Sequence, residues 1–233
     1  MEDSILLRVR TELLDRQDLP FRDFTARSAP GAGAVIGVRI PEIRQIAKGL
    51  CRDDFSSYLA AEPKEYLEEI LLHGIVMAQA KMELGTRLGL VEEFIPRINS
   101  WLVCDVVANS FRIKPEQEAE YWKFLIKYLA SKDEFAVRFM LVMMLDHFLK
   151  GDYVAEVLAV ADDVQHAGYY VEMAKAWLVA EALVKDREVA MSYIHDNHLS
   201  NFAFNKAIQK ARKSYRVSAA DKALLLQLKK TKE

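Results

Sequence analysis

The sequence predicts an all-α chain of stacked antiparallel helix pairs, and three observations predict it. Apolar residues recur at helical spacing through nearly the whole chain, while the period-two alternation of half-buried strands is nowhere sustained. Glycine and proline are few, 9 and 6 among 233 residues, and their positions punctuate the periodic segments. The segments between breaks suit roughly ten to twelve helices, most of about 10 to 18 residues, joined by short turns. Short links make neighbouring helices run antiparallel, so each pair can bury its apolar stripe against the next pair.

The elements follow in order. The opening MEDSILLRVRTELLDRQ carries early charges and no apolar signal core. A loop of small residues, Ala29-Pro30-Gly31-Ala32-Gly33-Ala34, precedes Val35-Ile36-Gly37-Val38-Arg39-Ile40, and Pro41 suits the first turn of a helix because its missing N–H costs nothing there. Pro63 and Pro115 are placed to open helices reaching about Gln79 and Ala130. Asp133, Asp152 and Asp186 are candidate caps for the helices that follow. No fixed motif repeats, so helix spacing alone yields degenerate HEAT-like units forming an α-solenoid with a concave face, in one domain spanning residues 1–233. A compact bundle is the alternative.

Composition bounds the function. With 52% hydrophobic and 28% charged residues, the chain can bury a core and is unlike a disordered one. The longest apolar run, Phe139 to Leu145, is flanked by Arg138 and Asp146 and is far short of the roughly 20 residues a membrane span needs. Two cysteines, Cys51 and Cys104, offer no pairing pattern, so a reducing, cytoplasmic setting is expected. The net charge of −2 is unevenly distributed: the basic C-terminal segment 201–233 holds nine cations against two anions. Such a segment is either a face for a polyanion or a solvated helix and tail.

Four residues break the apolar pattern. Trp101 and Asp105 lie four apart, one turn from each other on one helix face; the alternative is a core tryptophan beside a surface aspartate. Arg138 sits among Phe135, Leu141 and Val142, where a guanidinium must snorkel, line a polar cleft or pair with a carboxylate such as Asp105. Trp177 is a large aromatic among small and charged neighbours. His195 and His198 lack a plausible third ligand, so no metal site is expected. Phosphate-cradling glycine loops, GxSxG and HExxH are absent from the sequence. An enzyme of this kind would use few groups and no cofactor.

The run Gly37-Val38-Arg39-Ile40-Pro41-Glu42-Ile43-Arg44, the Ser100-Trp101 to Asp105 element, Arg138, Ala176-Trp177 and Asn205-Lys206-Ala207-Ile208-Gln209-Lys210 resemble, in order and separation, the AlkD family of DNA alkylation repair glycosylases. The resemblance spans about residues 35 to 216. It implies a HEAT-like solenoid that grips duplex DNA containing alkylated bases and hydrolytically excises cationic N3- and N7-alkylpurines without flipping the base. It further implies that Asp105 is the catalytic carboxylate, that Trp101 and Trp177 lie against the lesion's deoxyribose, and that Arg138 belongs to the DNA cleft. Lys206, Lys210 and Arg216 are then expected to hold the DNA backbone, with Arg39 either touching DNA or supporting a helix start. These residues are expected to converge on one cleft of a monomer with no obligate protein partner. Two other readings compete: a non-catalytic DNA-binding module for distorted or branched DNA, and a protein-interaction scaffold with core tryptophans.

Overall fold

The computed structural model describes residues 2–53, 55–61 and 65–230. Pro63, expected to open a helix, and Lys232 and Glu233 of the basic tail lie outside the described residues. Among the described residues there are fourteen α-helices and no strand; a lone bridge joins Ala34 to Tyr66. None of these helices is long and apolar enough to cross a membrane.

The chain forms two compact units, Met1–Tyr121 and Trp122–Glu233. The first contains α1 (Glu2–Leu14), α2 (Leu19–Ser28), α3 (Ile40–Leu50), α4 (Phe55–Ala60), α5 (Leu67–Gln79), α6 (Leu84–Phe94) and α7 (Trp101–Ala108). Helix α8 (Glu118–Ile126) contains the boundary, and α9 (Glu134–His147), α10 (Tyr153–Asp163), α11 (Tyr169–Lys185), α12 (Arg187–His195), α13 (Asn201–Lys213) and α14 (Ala219–Gln227) follow.

Packing within each unit alternates. In the first, α5 packs on both α3 and α7 and also touches its chain neighbours α4 and α6. In the second, α11 packs on both α9 and α13, while α10 and α12 pack on each other and on α11. Every second helix thus packs on the next, in rows of α3, α5 and α7 in the first unit and of α9, α11 and α13 in the second. Helices of both rows are deeply buried: α5 buries Leu71, Leu72, Ile75 and Met77, and α9 buries Phe139, Met140, Leu141 and Met144. Each such side chain contributes roughly 1.5–3 kcal/mol by leaving water.

Local chemistry explains the helix ends. Asp133 accepts from the backbone N–H of Phe135 and Ala136 at 2.9 and 3.1 Å, and Asp186 accepts from Val189 at 3.1 Å, as their cap positions predict. Asp152 departs from expectation. It holds the cap position of α10, but its backbone is already helical (φ −64°, ψ −21°) and its side chain makes no cap bond. Pro41 sits in the first turn of α3.

Pro115 opens a 3₁₀ turn, Pro115–Gln117, that runs directly into α8. That helix ends at Ile126, short of Ala130, because the chain tightens into i→i−3 bonds at Lys127, Tyr128 and Leu129. Helices outnumber the expected ten to twelve partly because two apolar segments are split. Asp18 caps a new helix at Phe21 (3.0 Å) with Pro20 in its first turn, and Pro96 turns the end of α6 into a 3₁₀ turn before Ser100 caps α7.

Candidate nucleic-acid interface

In the first unit, α7 presents Trp101 and Asp105 one turn apart, both half-buried. Trp101 is therefore not a core residue. Its indole is held by a hydrogen bond from Nε1 to the Ser28 carbonyl at the end of α2, 2.8 Å away, which fixes the ring while leaving part of it open to solvent. One turn beyond Asp105, the exposed Asn109 side-chain oxygen accepts from Arg44 Nη2 at 3.4 Å. One edge of α7 thus carries an indole, a carboxylate and, through α3, a guanidinium.

The segment between Ser28 and α3 is fixed by a residue that sequence reasoning missed. Glu68, 1% exposed in the first turn of α5, accepts three backbone N–H bonds, from Ile36 at 2.9 Å, Gly37 at 2.7 Å and Val38 at 3.2 Å. A carboxylate accepting three donors avoids the large cost of an unpaired buried charge. Gly37 is required there: its φ is +98°, and a Cβ would lie 2.6 Å from the Asp18 carbonyl oxygen and from Arg22 Cβ. No local signal marks Glu68, because it is one of two acids, with Glu69, in the first turn of α5, where acids ordinarily complement the helix dipole.

Arg39 stands at the start of α3. It holds the cap position of α3 without a side-chain cap bond, its guanidinium contacts Asp18 Oδ2 at 2.7 and 3.0 Å, and it lies 4.8 Å from the Phe21 ring centroid. Asp18 caps α2 in turn. The Phe21 N–H and the Arg39 guanidinium hold its carboxyl below the usual carboxylate range.

In the second unit, Trp177 stands on α11, Lys206 and Lys210 on α13, and Arg216 just beyond the end of α13. Trp177 is half-buried, with Lys210 Nζ 5.8 Å from its ring centroid, a cation–π distance. Lys206, one turn before Lys210, lies 5.6 Å from the Phe202 ring. Arg216 Nη2 reaches both oxygens of Glu181 at 2.6 and 2.7 Å, so part of its charge is matched within the protein. Arg138 is 6% exposed. It donates from Nη1 to the Tyr170 carbonyl at 2.7 Å and lies over that ring, joining α9 to the start of α11.

His198 of the second unit lies against α10. His198 Nδ1 pairs with Asp162 Oδ2 at 2.7 Å, and among the described residues no group of three or more His, Cys, Asp or Glu is placed to hold a metal.

A family model described as DNA alkylation repair enzyme matches residues 9–211. The chain belongs to that family. Membership covers both units and every motif that carried the resemblance, from Gly37 through Trp101, Asp105, Arg138 and Trp177 to Lys210. It makes this chain a DNA alkylation repair protein with DNA as its substrate class. Comparison with curated proteins gave no match.

Proposed function

We propose that this alkylation repair protein is a monofunctional DNA glycosylase that hydrolyses the N-glycosidic bond of cationic N3- and N7-alkylpurines in duplex DNA without flipping the base. Its helix pairs are HEAT-like. The observation that carries the reading is the α7 edge: an indole anchored by its N–H to the Ser28 carbonyl, with the Asp105 carboxylate one turn away, in a chain of this repair family.

The chemistry needs little more. An N-alkylated purine already carries positive charge, so it leaves without protonation, taking the electron pair of its bond to C1′. Positive charge passes to the sugar as an oxocarbenium-like cation. Water adds to C1′, and its proton passes to the Asp105 carboxylate and on to solvent. The products are a neutral alkylpurine and an abasic site. Trp101 and Trp177 each carry an electron-rich face of the kind that stabilises a sugar cation, and Asp105 attracts that cation and orients the water. Both effects strengthen where solvent is excluded.

Lys206, Lys210 and Arg216 hold the phosphate backbone, and such contacts give affinity without sequence preference. A repair enzyme needs that indifference. Arg138 serves the DNA cleft as its place in the family motif implies, with its orientation set by the Tyr170 carbonyl. Arg39 acts through its contact with Asp18, the cap of α2.

Release of 7-methylguanine from duplex DNA tests the activity. Asp105→Asn tests the assignment, because it keeps shape and removes charge. Binding without release by the wild-type protein would favour the non-catalytic module.

A further inference from the structure

We propose that the exposed ring pair Tyr169 and Phe202, together with Lys206 and the groove behind it, forms a stacking site for an unpaired nucleobase of bound DNA. The inference rests on the DNA-binding reading of α13 given above.

Large aromatic side chains seldom stand clustered in water without a use. Tyr169 is 58% and Phe202 41% exposed, yet their ring centroids are only 5.9 Å apart. Lys206 Nζ lies 5.6 Å from the Phe202 ring. A cation beside solvent-facing aromatic rings is the pairing that binds single-stranded nucleic acid, with the cation on phosphate and the rings on bases.

The groove behind the rings has a volume of about 550 Å³ and reaches down to Glu172, Lys175, His198 and Ser200. Its polar floor is satisfied from within. Lys175, 5% exposed, donates to the Val164 carbonyl at 2.5 Å and lies 3.4 Å from Glu172. The Ser200 hydroxyl donates to Glu172, and His198 pairs with Asp162. Carboxylates and cations are matched, so a phosphate entering the groove would gain no net attraction. A neutral heteroaromatic ring suits both the aromatic rim and the polar floor.

Spacing places this site away from the lesion. Phe202 and Lys210 are eight residues apart on α13, about 12 Å along the helix, and Lys210 is the residue beside Trp177. That separation exceeds the roughly 3.4 Å between neighbouring nucleotides, so the captured base is not the one whose sugar meets Trp177. A fully paired duplex has no base to offer it, whereas a bulge does.

The test compares two lesion-free duplexes by fluorescence anisotropy at one salt concentration, one fully paired and one carrying a single bulged 2-aminopurine. The wild-type protein should prefer the bulge by on the order of tenfold, the usual weight of one base stacked on an aromatic ring. Tyr169→Ala with Phe202→Ala should abolish the preference and leave paired-duplex affinity within about twofold. Tyr169→Phe, which keeps the ring, should retain it. Equal wild-type affinity for both duplexes, a preference that survives the double alanine variant, or a preference removed by inorganic phosphate at constant ionic strength would each overturn the site. If the wild-type protein binds neither duplex, the DNA-binding reading falls, and this site with it.

Discussion

Removing the Glu68 carboxylate should destabilise the first unit and loosen Trp101 together. Glu68 Oε1 accepts from Gly37 and Val38 and Oε2 from Ile36, all in a segment that begins at the Ser28 carbonyl holding the indole. In Glu68→Gln the amide oxygen can keep the Gly37 and Val38 bonds, weakened by loss of charge, while the new NH₂ faces the Ile36 N–H as donor against donor. One orphaned buried N–H costs about 1–3 kcal/mol, and two charge-assisted bonds turned neutral lose roughly 1 kcal/mol more. The expected loss is about 2–4 kcal/mol, a large part of a typical domain's stability. Glu68→Ala orphans all three donors and should cost more. Urea unfolding followed by tryptophan emission reads both effects, with lower stability and a red-shifted native spectrum. A Glu68→Gln protein within about 0.5 kcal/mol of wild type, its native spectrum unchanged, would refute the assignment, since a solvated surface acid behaves that way.

Three further outcomes follow from the geometry. Gly37→Ala places a Cβ against the Asp18 carbonyl oxygen at positive φ and should cost more than about 1 kcal/mol in a urea titration; a neutral or stabilising effect would contradict the backbone there. The Asp162 contact holds His198 protonated above the usual imidazole range. Its contribution to stability is therefore complete below about pH 6.5 and lost as pH rises through the folded value, and Asp162→Asn should bring the His198 NMR titration midpoint down. Affinity for duplex DNA should fall with salt by about 0.9 log units per phosphate contact per log unit of salt, and neutralising Lys206, Lys210 and Arg216 together should flatten that slope; an unchanged slope would place the DNA contacts elsewhere.

Those residues also mark what the sequence made legible. Asp133 and Asp186 could be read as caps because a cap acts on N–H groups two or three residues away, within the span of a local pattern. Trp101 and Asp105 could be placed on one face because helix period alone decides it. Glu68 could not be read, because an acid in a first turn is the ordinary complement to a helix dipole, and its three partners lie some 30 residues earlier in a loop with no period. The Arg39 to Asp18 contact spans 21 residues and escaped notice for the same reason. Asp152 shows the converse failure: a residue of cap type needs an extended backbone to aim its oxygen, and composition carries no dihedral angle. Tyr169 and Phe202 stand on different helices. Only the packing of α11 on α13 shows that their rings meet in solvent.

The central claim is that Asp105 stabilises charge developing on the sugar. It is tested most directly by single-turnover release of 7-methylguanine from duplex DNA at saturating enzyme, where affinity drops out of the measured rate. Wild-type protein should release the base, and Asp105→Asn should release it slower by on the order of 10² or more, as for other electrostatic stabilisers that act mainly in the transition state. Its DNA affinity should be equal or slightly higher, since carboxylate repulsion of phosphate is also removed. Release by Asp105→Asn at the wild-type rate would contradict the account at its catalytic centre.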